Sequence, residues 1–146
     1  MVRKNHQGNN VLHVASNKGN IEALAYLLNK LSTDKAEIKD AFIKAANGNG
    51  YTPLDCASIG CHDHCVALLL HYGADVTSFN ENGYTSIMLA ARWNAAHCLV
   101  ALTKSAGCCV LHLKHSRTGN TALHMAVQHN AFDAVKVRYS MGCKAC

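Results

Sequence analysis

Gly50-Tyr51-Thr52-Pro53-Leu54-Asp55-Cys56-Ala57 is the stretch on which the fold turns. Thr52 can offer its side-chain oxygen to the free N–H groups of a helix start. Pro53 follows at the first helical position, where its missing N–H costs nothing. The block recurs. Gly8-Asn9-Asn10-Val11-Leu12-His13-Val14-Ala15 precedes it, and Gly83-Tyr84-Thr85-Ser86-Ile87-Met88-Leu89-Ala90 and Gly119-Asn120-Thr121-Ala122-Leu123-His124-Met125-Ala126 follow, the glycines being 42, 33 and 36 residues apart. Behind the blocks run apolar stripes at i, i+3, i+4 spacing: Leu24, Leu27, Leu28; Val66, Leu69, Leu70; then Leu99 and Leu102. That spacing marks one face of a helix. Each unit therefore reads as a turn, a short helix, a second helix and a loop.

Two further positions repeat in phase. Ala15, Ala57, Ala90 and Ala126 are small enough for two helices to approach closely. Gly19, Cys61, Asn94 and Asn130 stand between the helices. Gly and Asn accept a left-handed backbone there, whereas Cys61 is expected to carry strain. The whole pattern resembles the ankyrin-repeat family, whose T-P-L-H-x-A signature is close to Thr52-Pro53-Leu54-Asp55-Cys56-Ala57; Tyr72-Gly73-Ala74-Asp75-Val76 matches its repeat ending. The resemblance implies an all-α repeat solenoid of stacked helix-turn-helix units with β-hairpin-like loops. It predicts a single domain over residues 1–146, with repeats at about 5–46, 47–79, 80–115 and 116–146.

The departures are specific. The first unit is too long, and its excess lies between Ser32 and Ala46, where Ile38, Phe42 and Ile43 keep helical spacing. An extra helical turn or a lengthened outer helix is expected there. The third unit ends late, at Ala106-Gly107-Cys108-Cys109. The fourth puts Arg138 where the others have Leu27, Leu69 and Leu102, which predicts a terminal cap. Asp55 and Met88 replace the signature histidine kept at His13 and His124, so the hydrogen bonding between repeats is expected to be incomplete in the middle.

Composition removes other classes. Of 146 residues, 49% are apolar and 16% charged, enough for a core and unlike a disordered tail. No apolar run has the ~18–20 residues of a membrane span. The polar start, Met1-Val2-Arg3-Lys4-Asn5-His6, predicts no signal peptide, so the eight cysteines read as reduced thiols in the cytoplasm, with the nucleus possible. A net charge of +5 is spread over several units without aromatic interleaving, which argues against nucleic acid as the partner.

The resemblance implies a non-catalytic protein–protein interaction module that binds a protein or peptide on its concave face. Side chains expected to project there are Tyr51, Ile59, Glu81, Tyr84, Arg92, Trp93, Arg117 and His129. The third repeat is the richest, since Trp, Tyr and Arg dominate binding hot spots. Tyr51 and Tyr84 share one hairpin position in adjacent repeats, which is compatible either with an aromatic ladder or with mutual packing that stiffens the hairpins. The chain is expected to be a monomer or part of a larger protein, without cofactor or metal. The competing chemistry is a metal- or redox-responsive Cys/His protein. Cys61-His62-Asp63-His64-Cys65 is the densest ligand cluster, but helical spacing sends His62 and His64 apart. Cys143-Lys144-Ala145-Cys146 forms a lone C-x-x-C pair, and as a prenylation box it lacks an aliphatic residue after the cysteine. A spacer segment of a larger signalling or channel protein is the third possibility. No nucleophile turn or oxyanion element supports an enzyme.

Overall fold

A computed structural model describes residues 4–34 and 36–140. The described residues form helices and no strand. In chain order these are α1 (Val11–Lys18), α2 (Ile21–Asp34), α3 (Ala36–Lys44), α4 (Pro53–Ile59), α5 (Asp63–His71), α6 (Ser86–Arg92), α7 (Ala96–Ala106), α8 (Ala122–Gln128) and α9 (Phe132–Ser140). A short 3-10 helix, Cys108–His112, lies between α7 and α8. The first helices pack side by side in the order α1, α4, α6, α8, and the second helices follow as α2, α5, α7, α9. Two helical layers result, and the hairpins that enter the first helices project from one edge. This is an all-α repeat solenoid.

Local chemistry explains each start. Thr52 caps α4: its hydroxyl accepts from the Asp55 N–H (3.3 Å), and Asp55 Oδ2 accepts from the Thr52 N–H (3.1 Å). Thr85 caps α6 through its hydroxyl alone, accepting from the Met88 N–H at 3.3 Å. In the first repeat Asn10 serves, its Oδ1 accepting from the Leu12 and His13 N–H groups. Each such cap is worth about 1 kcal/mol. The reversals are left-handed throughout: Gly19 has φ 69°, Cys61 60°, Asn94 57° and Asn130 56°. Cys61 thus adopts the strained backbone that its place in the pattern demands, at a cost of about 1–2 kcal/mol relative to a right-handed residue.

The core fills the space between the layers. Leu12, Leu24, Leu28, Leu54, Val66, Leu69, Ile87, Leu99 and Leu102 are buried, as are the four small alanines at the close approaches. The excess in the first repeat lengthens the outer helix, as expected, with α2 running for 14 residues, and also forms a separate helix of 9 residues, α3, which the spacing did not predict. Ile43 buries its side chain, and the Phe42 carbonyl accepts from Asn10 Nδ2 (3.0 Å), which ties α3 to the start of α1. In the third repeat the surplus residues form the 3-10 turn, whose Val110 and Leu111 are buried. The Cys143–Cys146 pair lies outside the described residues, as do the side chains of Arg138, Cys108 and Cys109.

The middle of the array corrects one expectation. Loss of the signature histidine at Asp55 does not leave that junction without a polar bond. Ser86 of the next repeat donates its hydroxyl proton to Asp55 Oδ1 at 2.7 Å. At the first junction His13 does the corresponding work. Its Nδ1 accepts from the Asn10 N–H (3.1 Å), so Nε2 carries the proton and donates to the Tyr51 carbonyl (2.8 Å). Only Met88 gives up the bond, and it packs in the core instead.

Candidate functional site

The hairpins are built alike. Asn5, Asn47 and Asn80 each stand three residues before a glycine, and each Oδ1 accepts two backbone N–H groups of its own turn. Such Asx turns fix the loop without a partner strand. Gly83 takes φ 86°, and the side chains of Ser116 and His115 close in where its Cβ would lie. Any other residue would be strained and crowded there. In the fourth hairpin the turn is one residue longer, and His115 takes the asparagine's place. Its Nδ1 accepts from the Arg117 (3.3 Å) and Thr118 (3.2 Å) N–H groups, and Nε2 donates to the Asn82 carbonyl of the preceding hairpin (3.0 Å).

This scaffold brings the residues of the third repeat together. Arg92, at the end of α6, holds its guanidinium 5.8 Å from the centre of the Tyr84 ring and 5.9 Å from that of Trp93. Arg92 Nη1 also donates to Tyr84 Oη at 3.4 Å. Such cation–π contacts are worth about 0.5–1 kcal/mol each at partly exposed sites. Tyr84 also meets the His115 ring, with centroids 4.4 Å apart and the planes tilted by 54°. Trp93 remains 53% exposed. Its carbonyl accepts from Cys61 Sγ (3.7 Å), which links the second reversal to the third. The side chains of this cluster are thus already ordered by one another.

Tyr51 and Ile59 belong to a second place. With Asn9, Asn17, Asn49 and the first hairpin they line a polar cleft of about 780 Å³ between the first two repeats. Tyr51 and Tyr84 make no ring pair among the described residues; the Tyr84 ring pairs with that of His115 instead. Glu81 is exposed and lies over Gly50 of the preceding hairpin. Arg117 and His129 are exposed, at the last hairpin and at the end of α8. His115 escaped the sequence pattern because the extra residue before Gly119 breaks the Asn-x-x-Gly spacing.

The Cys/His run disperses. Cys65 is buried, Cys61 turns to the Trp93 carbonyl, and His62 Nε2 reaches the Asn17 carbonyl of the first repeat (3.1 Å). No group of three or more ligand-type side chains that could hold a metal occurs among the described residues. Burial pushes the Cys56 and Cys98 thiols up to about 12 and raises that of Cys65, which keeps them protonated and unreactive.

Comparison with known proteins agrees with the repeat. A family model described as ankyrin repeats (3 copies) matches residues 1–80, and a single ankyrin repeat matches residues 118–137. The chain belongs to the ankyrin-repeat family. Ankyrin repeats are generally protein–protein interaction modules. A putative ankyrin repeat protein of Rickettsia bellii (strain RML369-C) is 39% identical over 82 residues, covering 56% of this chain and 47% of that protein. Human B-cell lymphoma 3 protein is 31% identical over 142 residues, covering 97% of this chain and 30% of its own length. Mouse ankyrin repeat and SOCS box protein 14 is 40% identical over 65 residues, 44% of this chain and 9% of its own. This ankyrin chain therefore spans less than half the length of these relatives. No helix among its described residues is long and apolar enough to cross a membrane.

Proposed function

We propose that the chain is a non-catalytic binding module that holds a partner protein or peptide on the concave, hairpin-bearing face, in the cytoplasm or the nucleus. Trp93, Tyr84 and Arg92 are the anchors; Tyr51 and Ile59 offer a second contact, and Glu81, Arg117 and His129 form the rim. One observation carries this reading. The Arg92 guanidinium lies near both Tyr84 and Trp93 and has no carboxylate partner among the described residues, where the one ion pair is Lys39–Asp40 (3.8 Å). A large, half-exposed indole beside a pre-positioned, unpaired cation is the chemistry of a hot spot. Because the rings and the guanidinium already constrain one another, little side-chain entropy remains to be lost on binding. Burial of three of the four described cysteines argues against a thiol-based activity.

Affinity capture from a lysate of the source organism tests the reading, with the wild type beside Trp93→Ala/Tyr84→Ala and Ile59→Ala/Tyr51→Ala. A protein retained by the wild type and lost by the first double variant is the expected result. Equal retention by all three would remove this face from consideration.

A further inference from the structure

The nine acidic side chains are spread unevenly over the fold. Glu22, Asp34, Glu37, Asp40, Asp63 and Asp133 belong to the second helices and α3, and Asp75 follows α5. Asp55, on a first helix, is buried and bonded to Ser86. The hairpins and the exposed ends of the first helices have Glu81 as their one acid, and its carboxylate is turned over Gly50 of the preceding hairpin. Against it on that side stand Lys18, Arg92 and Arg117. The hairpin-bearing side is therefore basic, and its electrostatic complement is acidic.

Hydrogen-bond chemistry at Arg92 points the same way. A guanidinium has five N–H donors and no acceptor. Nη1 donates to Tyr84 Oη, and Arg92 makes no other hydrogen bond among the described residues. The Tyr84 hydroxyl accepts that bond and keeps its own proton without an acceptor among the described residues; the indole N–H of Trp93 is likewise without one. Three side chains in contact thus offer donors alone. A carboxylate only accepts, carries the opposite charge, and matches the planar edge of a guanidinium with two parallel bonds. The half-exposed indole beside it offers an apolar surface to whatever adjoins that carboxylate. Repeats 2 and 4 flank the site, so its exposure owes nothing to either end of the sequence. The same face continues to Ile59 on one side and to Arg117 on the other, which gives a chain room to run through.

We infer, resting on the binding face proposed above, that the partner protein presents an extended acidic segment. An aspartate or glutamate within it seats its carboxylate on Arg92 and the Tyr84 hydroxyl, and an adjoining aliphatic or aromatic residue covers the Trp93 ring. The charge-assisted pair sets the register of the segment, and the same guanidinium rejects a basic residue at that place.

Selection of a displayed library of random peptides on the full chain, beside Trp93→Ala and Arg92→Gln, tests this. The wild type should enrich peptides in which an acidic residue adjoins an aliphatic or aromatic one, and neither variant should retain them. In a synthetic copy of an enriched peptide, replacing the acid by its amide should raise Kd about 10-fold or more, read by fluorescence anisotropy. That change leaves the protein untouched, and far-UV circular dichroism checks that the two variants fold. A lysine in place of the acid should bind Arg92→Glu better than it binds the wild type. Peptides that lack the acid, or that Arg92→Gln retains, would overturn the acidic segment. If Trp93→Ala loses those same peptides, the face itself stands; if it retains them, or if nothing is enriched, the face falls as well. Binding of a labelled oligothymidylate that both variants lose would also overturn the inference, in favour of single-stranded nucleic acid.

Discussion

Repeats 2 and 3 follow one backbone path and differ in what they present. Both open with an Asx turn, an equivalent glycine and a tyrosine; both reverse through a left-handed residue, Cys61 in one and Asn94 in the other. Just before that reversal, repeat 2 has Ile59-Gly60 and repeat 3 has Arg92-Trp93. Tyr51 accordingly lines a polar cleft, whereas Tyr84 contacts both a guanidinium and an imidazole. The scaffold and the site are written at different positions. The stacking residues set where a side chain projects, and two unconstrained positions per repeat decide what projects there.

If that division is right, the two repeats are equivalent as scaffold. Leu69 and Leu102 are both fully buried at the same position. Replacement of either by alanine should cost about 2–5 kcal/mol, measured by urea denaturation, and the two losses should agree within about 1 kcal/mol. As binding surfaces the repeats should be unequal. Against a captured partner, Trp93→Ala should raise Kd by about 2 kcal/mol, roughly 30-fold, with little change in Tm, whereas Ile59→Ala should cost less than about 1 kcal/mol.

A smaller contrast lies in the reversals. Cys61→Gly should stabilise the chain by about 0.5–1 kcal/mol, because glycine takes the left-handed backbone without strain. Asn94→Gly should not, since asparagine tolerates that backbone and here also accepts from the Ala134 N–H (3.1 Å). Thermal unfolding of the two variants distinguishes them.

The slightest contrast concerns pH at neighbouring junctions. Burial lowers the His13 pKa below its ordinary 6.5. As the pH falls below that value, the unfolded chain takes up a proton that the folded one refuses, and stability declines. Burial raises the Asp55 pKa above 3.8 despite its hydrogen bonds from Ser86 and Thr52. As the pH rises through the window above 3.8, the unfolded chain releases its proton first, and this group's contribution to stability also declines. Urea midpoints at about pH 4, 5.5 and 7 should show His13→Gln removing the acid-side loss and Asp55→Asn removing the loss on going up from pH 4.

Much of this was legible in the sequence, for identifiable reasons. Thr52-Pro53, the four alanines and the left-handed positions act within one repeat, so spacing alone exposes them. Trp93 and Arg92 could be singled out because they break an otherwise bland position. Contacts that depend on the register between repeats were hidden: Ser86 on Asp55, His115 beneath Tyr84, and Asn94 on Asp133. The separate α3 was hidden for another reason. Helical spacing at Ile38, Phe42 and Ile43 predicts helix but does not say where one helix stops and the next begins.

The central claim is that a partner protein contacts the face around Trp93. The chain has a single tryptophan, so 5-fluorotryptophan labelling gives one fluorine resonance that reports on that position alone. Its spectrum should be recorded with increasing amounts of unlabelled captured partner. A resonance that shifts or broadens in proportion to the bound fraction is the predicted result. A resonance unchanged at saturation, with binding verified independently, would contradict the account.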